Sequence, residues 1–208
     1  MTVVDFDPTS RRAPGNATSV PLTSGPGAKQ RILTTAGRLF YEEGIRAVGI
    51  DRLISESAVT KATFYKHYGS KDKLILEYLN ERHRRTNEFV NGLISGARGP
   101  GEGIRALVAE IDAEIHRSGF RGCAFINAAA EFSDPHHAVR QIVASHRDWY
   151  TETLTDLLRA AGHPMPGDAA DDILLARDGA MTGGYAGDPI AASAALKRVV
   201  DRILLETP

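Results

Sequence analysis

The residues with the clearest capacity for chemistry lie in one short stretch between Thr60 and Lys71. It supplies cations and hydrogen-bond donors of several types, namely Lys61, Thr63, Tyr65, Lys66, His67 and Lys71. No Asp or Glu occurs from Ala58 to Lys71, as expected of a surface that faces phosphates. These side chains suit contacts with base edges and phosphates. They do not suit acid–base catalysis, which needs convergent titratable groups in a cleft.

Three lysines lie where a helix dipole disfavours a cation. Lys61 follows Thr60, and Lys71 and Lys73 follow Ser70, and Thr and Ser are typical N-cap residues. A cation at such a helix N-terminus costs about 0.3–1 kcal/mol. A docked phosphate would instead be stabilised by the dipole, the N–H groups and the lysine together. These positions therefore indicate a phosphate ligand, with solvated surface lysines as the alternative.

Charge and composition favour a nucleic-acid contact at one end of the protein. The 208 residues carry a net charge of −1, but 28–73 holds nine Lys or Arg against five Asp or Glu. The head is therefore basic and the body acidic. The single cysteine, Cys123, excludes an intrachain disulfide and agrees with a reducing cytoplasm. No apolar run reaches the roughly 18 residues of a membrane helix, so we expect a cytoplasmic protein with no membrane contact.

Helical periodicity runs through the chain after a polar N-terminal segment. Residues 1–26 are rich in Pro, Ser, Thr and Gly and are predicted to be a disordered tail. The alternative is a tail that reaches a DNA groove through Arg11 and Arg12. From Ala28 onward the apolar residues recur at helical spacing and no strand pattern is present. The fold class is thus all-α with about nine helices, predicted at 28–43, 50–57, 60–68, 70–95, 102–118, 123–132, 134–161, 168–182 and 189–206.

Glycine, proline and cap residues set the predicted boundaries. The segments 96–103 and 162–167 are predicted to be loops, and Asp134 and Pro135 are predicted to open the seventh helix.

Two short helices joined at Ala58–Val59 can place the second one in the major groove of DNA. We therefore expect a helix-turn-helix DNA-binding domain at 27–72 and a ligand-binding and dimerisation domain at 73–208.

The head of the chain resembles the tetracycline-repressor (TetR) family of bacterial regulators. The resemblance covers about 28–75 and rests on an initial helix that ends in Phe and Gly, followed by a helix-turn-helix with an aromatic-rich end. The matching residues are Phe40, Gly44, Ile54, Val59, Thr60, Lys61, Thr63, Phe64, Tyr65, His67, Tyr68, Ser70, Lys71 and Leu74. The segment RGCAFINAAAEF also resembles one C-terminal subgroup of that family.

The resemblance implies a DNA-contact set. Thr60 would cap the third helix and contact a phosphate, and Lys71 would bind a second phosphate. The other candidate DNA contacts are Arg52, Lys61, Ala62, Thr63, Tyr65, Lys66 and His67. The family's usual Gly in the turn is Ala58 here, and its usual Phe near the end of the third helix is Tyr68, whose hydroxyl needs a partner.

The resemblance also implies that the body holds an effector pocket and a dimer interface. The candidate pocket residues are Asn87, Phe89, Phe125, Asn127, Phe132, His146, Trp149, Tyr150 and Arg177. The candidate interface residues on the last two helices are Ile173, Leu174, Ala180, Met181, Leu196, Val199, Val200 and Ile203. The expected protein is a homodimeric repressor-type regulator that a small-molecule effector releases from a palindromic, double-stranded operator, and it needs no cofactor.

Other functions remain as alternatives. A helical interaction module without DNA binding is one, and a helical enzyme is another, although neither a nucleophile elbow nor a zinc helix motif is present, so no catalytic residue is assigned. Asp134, His136 and His137 suggest a metal cluster, but a cap followed by exposed histidines explains them, and no metal site is assigned. Cys123 as a redox sensor competes with a buried, inert cysteine.

Overall fold

The structure is a computed structural model that describes residues 27–207. Within that range all regular structure is helical, which confirms the predicted all-α class with about nine helices. The prediction for 1–26 lies outside the described residues. The helices are α1 (Ala28–Glu43), α2 (Ile50–Glu56), α3 (Lys61–Tyr68), α4 (Lys71–Gly96), α5 (Pro100–Ile115), α6 (Ala124–Glu131), α7 (Ala138–Ala160), α8 (Pro166–Ala186) and α9 (Pro189–Leu204).

The first three helices pack around a small apolar core that also includes the start of α4. Leu39 of α1, Leu53 of α2 and Phe64 of α3 are fully buried, as is Leu74 of α4. Burial of each such side chain stabilises the fold by about 1.5–3 kcal/mol. The Tyr68 hydroxyl donates to the carbonyl of Lys29 at 3.0 Å. This partner closes the end of α3 against the start of α1.

The 26-residue helix α4 runs from this head into the body of the protein. At 1.5 Å per residue it is about 39 Å long. In the body it packs against α5 and α7, and α8 and α9 form a hairpin joined through Gly187 and Asp188. The centre of the body contains the fully buried side chains of Ile104, Leu154 and Leu196.

Three predicted helix starts were wrong, namely those of α5, α7 and α8. The loop predicted at 96–103 is shorter, because α5 begins at Pro100, where proline needs no hydrogen-bond acceptor for its nitrogen. The seventh helix begins at Ala138, where His137 Nδ1 accepts the N–H of Val139 at 3.2 Å. Asp134 instead accepts the N–H of His136 at 2.9 Å, so the Asp–Pro pair forms a separate turn before the helix.

Helix α8 is longer than the predicted 168–182 at both ends, since Pro166 opens it and it continues to Ala186. Of the helices in the described part of the chain, none is both long enough and apolar enough to cross a bilayer.

Candidate nucleic-acid interface

The turn between α2 and α3 is a Schellman motif built without glycine. The N–H of Val59 donates to Ile54 O at 3.3 Å and the N–H of Ala58 donates to Ser55 O at 3.2 Å, the bond pattern that defines this motif. Ala58 has φ of 51°, so an alanine occupies a left-handed position that usually favours glycine. Arg31 supports the turn, since its guanidinium donates to the carbonyls of Ser57 and Ala58 at 3.3 and 3.4 Å.

Helix α3 is anchored by its aromatic residues and exposes its polar ones. Phe64 and Tyr68 are buried at 0% and 4% exposure, whereas Tyr65 is 42% exposed. The structure places most of the remaining predicted contacts on the exposed surface of this helix, namely Lys61, Ala62, Lys66 and His67, with Thr63 half-buried. Phe64 and Tyr68 therefore face the core of the head, and the exposed surface of α3 carries no acidic side chain.

Two acidic residues of the head, Glu43 and Glu56, are paired with arginines of α1 and α2. Arg38 of α1 and Arg52 of α2 both bond to Glu56, and Arg52 also bonds to Glu43. The hydrogen bond from Arg52, followed by that from Arg38, lowers the pKa of Glu56 below its ordinary value. Arg52 was predicted to contact DNA, but its guanidinium is occupied by carboxylates of its own chain. Among residues 27–207, neither Lys61 nor Lys66 has such a partner.

Both helix starts in this region carry the predicted caps. Thr60 Oγ1 accepts the N–H of Thr63 at 3.2 Å, and Ser70 Oγ accepts the N–H of Lys73 at 3.2 Å. The first two N–H groups of each helix have no intrahelical acceptor and point outward from the helix start. Lys71 is half-buried, unlike the fully solvated lysine that was the alternative to a phosphate contact. Its amine lies 5.9 Å from the centre of the Phe40 ring, and burial lowers its pKa.

Two contacts join the head to α6 in the body. The carboxylate of Glu131, the last residue of α6, accepts the N–H groups of Ile45 and Arg46 at 2.8 and 2.7 Å. At the other end of α6, the Tyr41 hydroxyl donates to Gly122 O at 3.0 Å. It also accepts the N–H of Arg121 at 2.9 Å. A shift of α6 would therefore act on the head at two points, and nothing in the sequence pattern indicated these contacts.

Part of the predicted pocket set converges in the body. Phe125, His146, Tyr150 and Arg177 surround Cys123 in a nearly filled region with a free volume of about 10 Å³. His146 stacks on Phe125 with ring centres 3.6 Å apart, and Trp149 lies 5.5 Å from His146. Burial, followed by the charge of Arg177, lowers the pKa of His146 from 6.5 to about 3. This histidine is therefore a neutral core residue at physiological pH.

A larger cavity of about 270 Å³ lies beside this cluster, between α4, α5, α7 and α8. Phe89, Tyr150 and Arg177 from the predicted set line it, and Phe89 is 49% exposed at its mouth. Sequence reasoning missed the rest of the wall, including Leu93, Leu107, Ile111, Arg82 and Arg117. The apolar members recur at helical spacing and had the same signal as any core residue.

Three predicted pocket residues lie away from both cavities. Asn87 accepts a hydrogen bond from Asn91 on α4 at 2.7 Å, and Asn127 donates to Arg121 O at 2.7 Å. Phe132 is stacked on His137 with ring centres 4.5 Å apart. Each of these three residues contacts a partner nearby in the chain, and none of them lines either cavity.

The predicted dimer-interface residues point into their own chain. The side chains of Ile173, Leu174, Ala180, Met181, Leu196, Val200 and Ile203 are at most 9% exposed, and Val199 is half-buried. In the single chain the amphipathic faces of α8 and α9 cover each other and the body, so these residues contribute to the core of their own chain. The surface that these helices do present includes Leu175 at 65% exposure and Ile190 at 73%.

The structure also shows where the possible metal ligands and the single cysteine lie. Within residues 27–207, no three His, Cys, Asp or Glu residues are grouped closely enough to hold a metal ion. Cys123 is buried at 6% exposure, and its sulfur lies 3.9 Å from Nη2 of Arg177.

Comparison with known proteins gives consistent matches. A family model described as bacterial regulatory proteins, tetR family, matches residues 32–78. The transcriptional regulator LmrA of Bacillus subtilis is 30% identical over 89 residues, which are 42% of this chain and 47% of LmrA. The repressor AcnR of Corynebacterium efficiens is 34% identical over 74 residues, or 35% of this chain and 39% of AcnR. The matches span about half or less of these curated relatives.

Solved structures match over nearly the whole described range. A TetR-family transcriptional regulator from Streptomyces coelicolor is 40% identical, with a TM-score of 0.83, over 86% of this chain and 95% of that protein. The regulator CifR is 19% identical, with a TM-score of 0.74, over 86% of this chain and 97% of CifR. The second likeness shows a shared fold.

Proposed function

This chain belongs to the TetR family of bacterial regulators, and on that premise we propose that it is a homodimeric transcriptional repressor that an effector releases from DNA. The observation that carries the proposal is the division of α3, which buries Phe64 and Tyr68 and exposes cations and donors without a single acid. A helix of this kind fits the major groove, where its N-terminal residues meet base edges.

The residues of α3 would make different DNA contacts, according to their chemistry and their position on the helix. Lys61 lies at the first turn, where its ammonium and the helix N-terminus both attract a phosphate. Lys66 and His67 can donate to base edges or phosphates, and the methyl of Ala62 can contact a thymine methyl. At the start of α4, the outward N–H groups and Lys71 offer a second phosphate contact. A cysteine mutant of CifR, which shares this fold, has a solved structure in complex with a 26-base-pair operator duplex.

The domain division at 72/73 falls in the first turn of α4, so one continuous helix connects the DNA-binding head with the effector-binding body. An effector releases DNA only if it binds one arrangement of the protein more tightly than the other. A hundredfold preference corresponds to about 2.7 kcal/mol. The contacts of Tyr41 with Gly122 and of Glu131 with Ile45 and Arg46 join the head to the two ends of α6, and they give a route by which a change in the body reorients the head.

Dimerisation is proposed through the exposed surface of α8 and neighbouring α6 and α7. A largely apolar groove there is lined by residues that include Ile126, Ala129, Val143, Leu175 and Gly179. A self-complementary contact between two copies would cover it, and such two-fold pairing is the commonest form of soluble oligomer. Two α3 helices would then reach successive major grooves of a near-palindromic operator about one helical turn apart.

The proposal is tested by selecting binding sites from a random duplex DNA library with the full chain and measuring affinity against salt concentration. Wild-type protein should enrich a near-palindromic sequence and bind it with a steep salt dependence. Lys61→Ala should lower the slope of log affinity against log salt by about one, because one phosphate contact is lost. Arg98→Ala, which removes a 91%-exposed side chain just beyond the far end of α4, is the matched control and should leave the slope unchanged.

Two results would contradict this function. Salt-independent association, or no enrichment of any duplex, would instead favour an interaction module without DNA binding. Equal slopes of log affinity against log salt for wild type and Lys61→Ala would show that Lys61 does not contact a phosphate.

A further inference from the structure

Arg177 on α8 is held in the body without a full set of acceptors. Its side chain is 11% exposed, and Nη1 donates to Asp178 at 2.9 Å. The guanidinium carbon lies 4.8 Å from the centre of the Tyr150 ring, and Nη2 faces the sulfur of Cys123. The Nε–H is buried with no acceptor in the described part of the chain. A buried donor without an acceptor is costly, so an anion that reaches this guanidinium would supply a missing acceptor.

The charge around Arg177 is also incompletely balanced. Asp178 is the nearest carboxylate, and it is shared with Arg147 of α7. Burial keeps the neighbouring His146 neutral, since it lowers the pKa of this residue to about 3. One carboxylate therefore faces two guanidinium groups. The cluster has room for one further negative charge, and it would repel a cationic ligand.

The lining of the adjoining cavity indicates what the rest of the ligand, beyond its negatively charged group, should be like. Its volume is about 270 Å³, close to the lower end for small-molecule sites. Arg177 and Tyr150 lie at one side, and Phe89, Leu93, Leu107 and Ile111 form an apolar wall along α4 and α5. Charged residues line it too, with Glu110 and Glu114 on α5 against three further arginines, Arg82, Arg85 and Arg117. Of these, Arg85 is already paired with Glu81.

We propose that this cavity binds a small organic monoanion, a carboxylate or sulfonate on an apolar body, with the anion on Arg177 and the body against the α4–α5 wall. The inference rests on the proposed function, for which this molecule would be the effector. A bound anion would accept from Nε–H of Arg177, whose Nη2 meets Cys123 directly before α6. Gly122, one residue earlier, accepts the hydrogen bond from Tyr41 of the head.

Two fluorescent probes that differ in one charge test the binding step. Anilinonaphthalene sulfonate is anionic, and N-phenylnaphthylamine has the same aromatic body without the sulfonate. In fluorescence titrations of the full chain without DNA, the wild type should bind the sulfonate probe roughly tenfold to a hundredfold more tightly than the uncharged N-phenylnaphthylamine. Decanoate should displace the bound sulfonate, whereas decanol and decylamine should not.

Variants locate the site. Arg177→Met should abolish the preference for the anion, and it leaves Asp178 paired with Arg147, so the cluster becomes neutral. Arg105→Met removes a cation of α5 that lies near Asp201 of α9 and is the matched control, with the preference retained. Phe89→Ala changes a half-exposed side chain, which keeps the fold intact, and should weaken binding of both probes alike.

Equal affinity for the two probes, an anion preference that survives Arg177→Met, or binding that is indifferent to Phe89→Ala would each overturn the inference. Because these titrations contain no DNA, they fail independently of the DNA selection. A chain that binds DNA but not the anionic probe disproves only the effector class, and a chain that binds the probe but no duplex disproves only the regulator function.

Discussion

Acid should destabilise this protein through His146 in a measurable way. The side chain is 3% exposed, and it stacks on Phe125 and shares a hydrogen bond between its Nδ1 and Nδ1 of His83 at 3.0 Å. The charged and titratable groups that face it come from α4 (Arg82 and His83), α7 (Arg147) and α8 (Arg177). Burial and these charges together disfavour a protonated imidazole.

The magnitude follows from the two pKa values. With a pKa of 6.5 in the unfolded chain and about 3 in the folded one, the unfolded state binds more protons throughout this interval. Stability therefore rises with pH here and falls as the pH is lowered. The full contribution is present above pH 6.5 and declines by up to about 1.4 kcal/mol per pH unit below it. Between pH 7 and pH 5 the loss from His146 alone is about 2 kcal/mol.

The assay is urea unfolding of wild type and His146→Gln at pH 7, 6 and 5, with the difference in unfolding free energy taken at each pH. The variant should be less stable at pH 7 because it loses the stacking on Phe125. Its deficit should then shrink by about 2 kcal/mol at pH 5, since only the wild type carries the titrating group. His136→Gln removes an exposed histidine as the matched control. A deficit that stays constant from pH 7 to pH 5 would refute the reasoning.

Three further predictions concern the head and α8. Ala58→Gly should raise the free energy of unfolding by up to about 1 kcal/mol, because it relieves an L-residue at φ of 51°; destabilisation in chemical unfolding would show that the turn is unstrained. Gly184→Ala should lower it by about 1–3 kcal/mol, because the new Cβ would lie 2.6 Å from Ile115 Cγ2. Gly92→Ala on α4, with open space around it, should raise it by about 0.5–1 kcal/mol, and equal effects of the two changes would argue against the close approach. Glu131→Gln should speed hydrogen exchange at the N–H groups of Ile45 and Arg46, and unchanged exchange rates would mean that α6 does not hold the head.

Much of the head was predictable because its signals are local. The caps at Thr60 and Ser70, the buried aromatic positions of α3 and the need of Tyr68 for a partner all follow from residue type and spacing within a few turns. The same local rules failed at Asp134–Pro135, where two structures were compatible with one signal. An Asp before a Pro can cap a helix or close a short turn, and His137 provided the cap instead.

The body was less predictable because helical periodicity shows which side of a helix is apolar but not what covers it. Ile173 and Leu196 looked like an interface for a second copy, and they are covered by their own chain. The same ambiguity hid the cavity wall, since Leu93 and Leu107 carry the pattern of ordinary core residues. Arg177 stood out only as a polar group on a late helix, with no sign of its partners.

The sequence by itself determined the all-α class, the helix-turn-helix and the acid-free surface of its third helix, because helix periodicity, capping and charge act between near neighbours. Only the tertiary structure decided that α6 bonds to the head at both ends, and that Arg177 is buried with an unmet donor beside a partly apolar cavity. Those features depend on contacts between residues tens of positions apart, and such contacts exist only once the helices have packed.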